Sequence, residues 1–311
     1  MNAPSSMSQE AAGQKQRIRE LLQERQAILL AHNYQPPHIL EVADLCGDSL
    51  ELSRQAAKTK AKVIVFCGVH FMAETASILS PEKTVLLPRL DAGCAMADMI
   101  RAEDLARRKK ELPHCAVVTY VNSPASVKAL SDVCCTSANA VQVAEGFVDQ
   151  EILMVPDRNL AAYTASQTGK TIYAWRGFCP VHDKLKAQDV LLARQSHPGA
   201  MFLAHPECRP EVLALADAVL STSGMLAHPA SARQSSFIVG TETGLLYSLK
   251  KKYPDKQFFP ASEKMVCPDM KRIQLSDIIR CLETLSPEVR VPEDIQKPAL
   301  RAVLRMIADN G

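Results

Sequence analysis

Short, continuous apolar runs alternate along this chain with stretches whose apolar residues recur at helical spacing. Ala27-Ile-Leu-Leu-Ala31, Lys62-Val-Ile-Val-Phe-Cys67 and Thr84-Val-Leu-Leu87 read as strands. Helical patterns cover Gln16 to Arg25, the region from Ile39 to about Lys60 with an interruption at Cys46-Gly-Asp-Ser49, and His70 to Leu79. An apolar run without alternation belongs to a strand buried on both faces, so the pattern predicts parallel sheets covered by helices.

The same order then recurs. His114 to Thr119, Ile152 to Val155 and Thr171 to Trp175 form a second set of strands; Ala200 to Leu203, Asp217 to Thr222, Ser236 to Val239 and Gln257 to Phe259 form a third. The first-strand ends align as His32-Asn33-Tyr34, Tyr120-Val121-Asn122 and His205-Pro206-Glu207, 88 and then 85 residues apart. Breaks led by Asp44, Asp132 and Asp217 keep both separations. Polar residues recurring at matched offsets predict three copies of one αβα unit, related by a pseudo-threefold axis, with parallel sheets around a central active site. The expected division is a loose or disordered segment over 1–16, units over 17–108 and 109–196, and a third unit over 197–311 closed by a helix from Pro298 to Ile307.

Composition narrows the function. Apolar residues make up 47% of 311, enough for a substantial core, and 36 basic residues nearly balance 34 acidic ones. Nothing in that balance favours nucleic acid or an anionic membrane; the runs Arg107-Arg-Lys-Lys110 and Lys250-Lys-Lys252 read as solvated helix ends. The polar start lacks the apolar core of a secretory signal, and no apolar run reaches the roughly 18 residues of a membrane span. A cytoplasmic protein is expected, in which ten cysteines are more naturally buried thiols or metal ligands than a disulfide framework.

Three of those cysteines sit in loops after strands: Cys94 in Asp91-Ala-Gly-Cys94, Cys179 in Trp175-Arg-Gly-Phe-Cys-Pro-Val-His182, and Cys267 in Met265-Val-Cys-Pro-Asp269. Ligands of open parallel sheets collect at strand carboxyl ends, and residues i and i+2 of a strand face the same way. His32 with Tyr34, Tyr120 with Asn122, and His205 with Glu207 can therefore each face one cleft. Ser49, Ser137 and Thr222 fall near expected helix starts, where free amides suit a carboxylate or phosphate. Cys46, Cys67, Cys115, Cys134, Cys135, Cys208 and Cys281 read as buried or incidental thiols. Three dispersed thiolates can hold zinc with a fourth ligand, or a four-iron cluster with one iron left open. With no Cys-x-x-Cys pair anywhere in the chain, spacing leaves that choice open. It also leaves open a zinc hydrolase, an iron–sulfur hydro-lyase, and a non-catalytic three-repeat module that binds a small phosphorylated acid.

The motifs Ala31-His-Asn-Tyr-Gln35, Gly47-Asp-Ser-Leu50, Cys67-Gly-Val-His-Phe-Met-Ala-Glu74, Asp91-Ala-Gly-Cys94, Tyr120-Val-Asn122, Cys135-Thr-Ser-Ala-Asn139, His205-Pro-Glu-Cys208, Ser221-Thr-Ser-Gly-Met225 and Val266-Cys-Pro-Asp-Met-Lys271 together resemble the quinolinate synthases of bacterial NAD biosynthesis. The resemblance runs in order from about residue 27 to 280. It implies a three-domain α/β fold and one 4Fe-4S cluster on Cys94, Cys179 and Cys267, whose open iron acts as a Lewis acid. It implies condensation of iminoaspartate with dihydroxyacetone phosphate to quinolinate, with loss of phosphate and water. It further implies acid–base roles for Tyr34, His205 and Glu207, and substrate binding by His32, Ser49, Tyr120, Asn122, Ser137 and Thr222. An aspartate oxidase or dehydrogenase would supply iminoaspartate, in transient contact or none. Some relatives carry a Cys-x-x-Cys-x-x-Cys run ending at the last ligand; Ala261 and Lys264 stand there in this chain, so no disulfide switch is expected.

Overall fold

The computed structural model describes residues 6–148 and 151–308. The protein is α/β, with three four-stranded sheets whose strands are all parallel. The first contains β1 (Ala27–His32), β2 (Leu45–Gly47), β3 (Val63–Cys67) and β4 (Thr84–Leu86). The second contains β5 (Ala116–Tyr120), β6 (Val133–Cys135), β7 (Ile152–Val155) and β8 (Ile172–Ala174), and the third β9 (Met201–Ala204), β10 (Ala218–Val219), β11 (Ser236–Gly240) and β12 (Gln257–Pro260). Each sheet has the same order, second strand, first, third, fourth. The first strand therefore lies at the point where the winding reverses, the place where a crevice opens beyond the carboxyl ends.

The Asp-led breaks prove to be edge strands. β2 and β6 are three residues long, too short and too poor in β-branched residues to stand out from the sequence, and long-range contacts hold them. In the first sheet the Leu29 amide donates to the Asp44 carboxylate at 2.7 Å while the Asp44 amide donates to the Leu29 carbonyl at 2.9 Å. The pairs Val117 with Asp132 (2.7 and 3.0 Å) and Phe202 with Asp217 (2.7 and 2.9 Å) repeat the exchange. The recurring Asp thus locks the edge strand to the first strand in register, which is why its offset is kept.

The chain forms two compact units, one of residues 1–93 with 268–291 and the other of 94–267 with 292–311. Residues 268–291 group with the first of these units and 292–308 with the second. In the first unit the helix Leu275–Thr284 buries Leu275, Ile278 and Leu282 and packs on the helix Ser6–Glu24, which buries Ile18, Leu21 and Leu22. Arg25 closes the contact by donating to the Leu282 and Glu283 carbonyls at 3.1 and 2.9 Å, a cation at a helix carboxyl end. Residues 6–16, expected to be loose, thus extend the first helix toward the amino terminus; residues 1–5 lie outside those described. The segment 287–289 runs antiparallel along the outer edge of β4, with Val289 donating to Val85 at 2.8 Å.

In the second unit the closing helix spans Glu293–Ile307, beginning five residues before the expected Pro298, which sits inside it. It packs on β6 and the helix Ala125–Lys128, with Asn139 donating to the Met306 carbonyl at 3.0 Å and Arg305 to the Asp132 carbonyl at 2.7 Å. Val181 and Leu185, just after Cys179, join Phe202, Ile238, Ala261 and Met265 in the core of the third sheet. The runs 107–110 and 250–252 lie in the last turns of the helices Ala102–Glu111 and Leu245–Lys252. Among the described residues, no helix is long and apolar enough to cross a membrane.

Candidate active site

Each of the three cysteine loops follows the last strand of its sheet, and each is fastened by the same backbone bond. The residue at the head of the helix after the third strand donates to the carbonyl two residues before the cysteine: His70 to Ala92, Arg158 to Gly177 and Thr243 to Met265, all at 2.8 Å. In the second loop the approach is so close that a Cβ on Gly177 would lie 2.5 Å from the Pro156 carbonyl oxygen, so glycine is required there. Trp175 secures that loop from the side, its indole nitrogen donating to the Met99 carbonyl at 2.9 Å.

Cys94, Cys179 and Cys267 belong to the second unit, and all three are partly exposed and outside any disulfide. Burial pushes the Cys94 thiol up to about 12, with the charges of Cys267 and Glu207 adding to the effect. Burial likewise raises Cys179 well above the ordinary range, with Glu207 and Cys94 adding. Cysteine sulfurs from three separate loops, with the Glu207 charge felt at Cys94 and Cys179, are soft donors of the kind that hold a metal once deprotonated. That donor chemistry fits a metal centre. Of the cysteines read as incidental, Cys67, Cys134, Cys135, Cys208 and Cys281 are buried, Cys115 is partly so, and Cys46 is exposed.

Glu207 is the hub of the surrounding polar groups. It is buried; Tyr120 donates its hydroxyl to one carboxylate oxygen at 2.5 Å, and His182 Nδ1 lies 2.6 Å from the other. Burial alone would raise its carboxyl, but His182 and His205 beside it, with the bonds from His182 and Tyr120, hold it well below the usual carboxylate range. Asp157, buried nearby, moves the opposite way, pushed up by burial and then by the Glu207 charge. The two acids are thus shifted in opposite directions by their surroundings.

His205 Nδ1 stands 3.9 Å from Glu207 and accepts from the Glu207 amide at 3.4 Å, while Nε2 faces the Ser137 hydroxyl at 3.2 Å. An accepting Nδ1 assigns the proton to Nε2. The His182 and His205 rings stack at 4.6 Å. Asn122 Oδ1 is buried without a hydrogen-bond partner, an acceptor in want of a donor. Thr222 is buried and opens the helix Thr222–Ala227, whose cap comes from Ser221.

His32, Tyr34 and Ser49 belong to the first unit. The His32 and Tyr34 rings meet edge to face at 4.6 Å, and the Tyr34 amide donates to His32 Nδ1 at 3.1 Å, the backbone pattern of His205 and Glu207. Lys271 donates to the Tyr34 carbonyl. Ser49 begins the helix Ser49–Lys58, where Asp48 and Glu51 form a reciprocal cap.

Four residues of this neighbourhood were not read from the sequence: His182, Asp157, Thr241 and Glu242. His182 Nδ1 lies 3.2 Å from the Cys179 sulfur and Nε2 2.8 Å from the Thr241 hydroxyl. The available signal was Cys179-Pro-Val-His182, a spacing of three that one helical turn brings to the same side. Among the described residues, Cys179, His182 and Glu207 form the one group of three whose ligand atoms come within 4.8 Å of each other.

Residues 16–308 match the family of the quinolinate synthetase A protein. The chain is 56% identical over 294 residues to a quinolinate synthase of Geobacter metallireducens, covering 94% of this chain and 97% of the relative. It is 53% identical over 291 residues to that of Thermodesulfovibrio yellowstonii, covering 93% and 96%. Against quinolinate synthase 2 of Methanosarcina acetivorans the identity is 50% over 294 residues, covering 94% and 95%.

Proposed function

Because the chain belongs to the quinolinate synthetase A protein family, we propose that it joins iminoaspartate to dihydroxyacetone phosphate, giving quinolinate, phosphate and water. Cys94, Cys179 and Cys267 hold a 4Fe-4S cluster in this reading. The observation that supports it is that the loops bearing these three cysteines are fastened by the same backbone bond at matched positions. Three thiolates leave one iron of such a cluster open, and an open iron supplies Lewis-acid help to a departing hydroxyl.

The chain's own groups supply the rest. Glu207, held ionised, takes a proton from the reacting carbon or nitrogen, and Tyr120 steadies the carboxylate through its 2.5 Å bond. His205 presents Nε2 to the Ser137 hydroxyl, which orients the ring, and serves as a further acid–base group. Asn122 offers its unpaired oxygen to the amine or imine of the four-carbon substrate, and Tyr120, Ser137 and Thr222 complete the binding of carboxylate or phosphate. Tyr34 serves as a further acid–base group, and His32 and Ser49 bind the three-carbon phosphate, roles that rest on family resemblance.

A single zinc ion on Cys179, His182 and Glu207 is the competing reading, favoured by their closeness. Against it, His182 Nδ1 and Glu207 Oε2 are 2.6 Å apart, a hydrogen-bond distance. Two ligands of one tetrahedral zinc, each about 2.0–2.2 Å from it, would stand roughly 3.4 Å apart. Anaerobic purification decides: brown protein with about four irons per chain that forms quinolinate from the two substrates is expected. Colourless, zinc-loaded or inactive protein would refute the proposal.

A further inference from the structure

Two buried acids stand behind two of the three cysteine loops, at one position of the repeat. Asp157 and Glu242 are 85 residues apart, and the matching position 88 residues before Asp157 is Val69. These are the separations of the first-strand ends. Each acid divides its two oxygens in the same way. One oxygen serves the start of the following helix: Asp157 Oδ1 accepts from the Asn159 and Leu160 amides at 2.7 and 2.8 Å, and Glu242 Oε2 from the Gly244 amide at 2.8 Å. The other accepts the cysteine's own amide: Cys179 to Asp157 Oδ2 and Cys267 to Glu242 Oε1, both at 3.2 Å. Asp157 is 1% exposed and Glu242 0%, so water does not replace either bond cheaply.

The backbone bond that fastens all three loops fixes the chain two residues before each cysteine. The acid adds a second point of attachment at the cysteine itself, which sets the direction of its Cα–Cβ bond. Val69, 2% exposed and apolar, has no carboxylate to offer the first loop. From this we infer that Asp157 and Glu242 are positioning residues that hold Cys179 and Cys267 in ligating orientation, and that Cys94 is held without such a residue. The inference rests on the cluster reading given above and assigns it a mechanical asymmetry: two clamped ligands and one yielding ligand.

Asp157→Asn and Glu242→Gln test this with shape preserved. An amide accepts at one end only. The shorter bonds at the helix start keep its oxygen, which turns an N–H toward the cysteine N–H. Losing one accepted bond and gaining that opposition should speed iron release roughly tenfold or more. The readout is the loss of iron–sulfur absorbance when anaerobic holoprotein is mixed with a ferrous chelator, and thermal melting of the apoprotein tracks the helix caps separately. The inference expects faster release in both variants, with apoprotein melting near that of the parent and parental release in Val69→Ala. Release at the parental rate in Asp157→Asn and Glu242→Gln would overturn it, as would equal acceleration in Val69→Ala, which would mean general loosening. A parental protein that binds no iron would instead overturn the cluster reading beneath it.

Discussion

The first-strand ends of the first and third sheets share a backbone and differ in chemistry. At both, the amide two residues on donates to a histidine Nδ1, from Tyr34 to His32 at 3.1 Å and from Glu207 to His205 at 3.4 Å. Yet the second position carries a phenol in one and a carboxylate in the other. Around the phenol stand the His32 ring and, on the Tyr34 carbonyl, Lys271 from 237 positions further along the chain. Around the carboxylate converge Tyr120 from the second sheet and His182 from the second cysteine loop. The repeat thus preserves a scaffold that aims a side chain, and function follows from which side chain is aimed. Charge accumulates at the third-sheet end, so that is where substitution should matter most.

Glu207→Gln is accordingly expected to have the largest effect. It keeps the shape but removes the proposed base and the carboxylate that His182 and Tyr120 meet. Turnover should fall by about 10²- to 10⁴-fold, the range for loss of a positioned acid or base, while iron–sulfur absorbance stays near the parental value. Retained turnover would remove Glu207 from the acid–base role. Tyr34→Phe should cost less, roughly tenfold to a hundredfold in kcat, the worth of one buried hydroxyl bond. A loss for Tyr34→Phe exceeding that for Glu207→Gln would invert the ranking of the two ends.

The same contrast has a pH signature. The Glu207 carboxyl is held below its unfolded value, so the stability it contributes is present in full above that value, about 4.3. It is lost as pH falls through the lower folded value. Apoprotein unfolding by urea, followed between about pH 2 and 5, should therefore show a shallower loss of stability with acid in Glu207→Gln than in the parent. A slope as steep as the parent's would mean that Glu207 is not held down. Tyr34→Phe should leave this slope alone, since a phenol does not titrate there.

How much of this was readable beforehand follows from what each residue depends on. β1, β3, β5 and β7 are buried on both faces, so their apolar runs are nearly continuous and their limits stand close to the expected ones. β2 and β6 were read as breaks because Leu45-Cys-Gly47 and Val133-Cys-Cys135 acquire strand geometry from carboxylates clamping a neighbouring strand, a long-range cause. The packing partners of residues 268–308 are not legible for a similar reason: an amphipathic helix declares that it has a partner, and α-helical periodicity does not say which. At the site, strand-end residues were legible because period two and sheet winding locate them. His182, Asp157 and Glu242 were not, because each acts through the folded path of a cysteine loop. For the two acids a trace is present all the same in their separation of 85 residues, shared with the strand ends of the second and third sheets.

The smallest expected effect concerns the scaffold both ends share. Asp132 and Asp217 make the same double exchange with their first strands, but Arg194 also lies 2.9 Å from the Asp217 carboxylate, whereas Arg305 reaches the Asp132 backbone carbonyl. Replacing either acid with Ala strands the amide of Val117 or Phe202 at a strand start, where water can partly reach, so about 1 kcal/mol is expected for each. The Arg194 pair, with both side chains more than a third exposed, should add at most a few tenths to Asp217→Ala. Asn at either position keeps an accepting oxygen and should cost less than Ala. Urea unfolding of the two Ala variants and their Asn counterparts measures the ordering. If Ala and Asn were equivalent at both positions, the carboxylate clamp would contribute nothing to the sheets, and the recurrence of Asp at 44, 132 and 217 would need another cause.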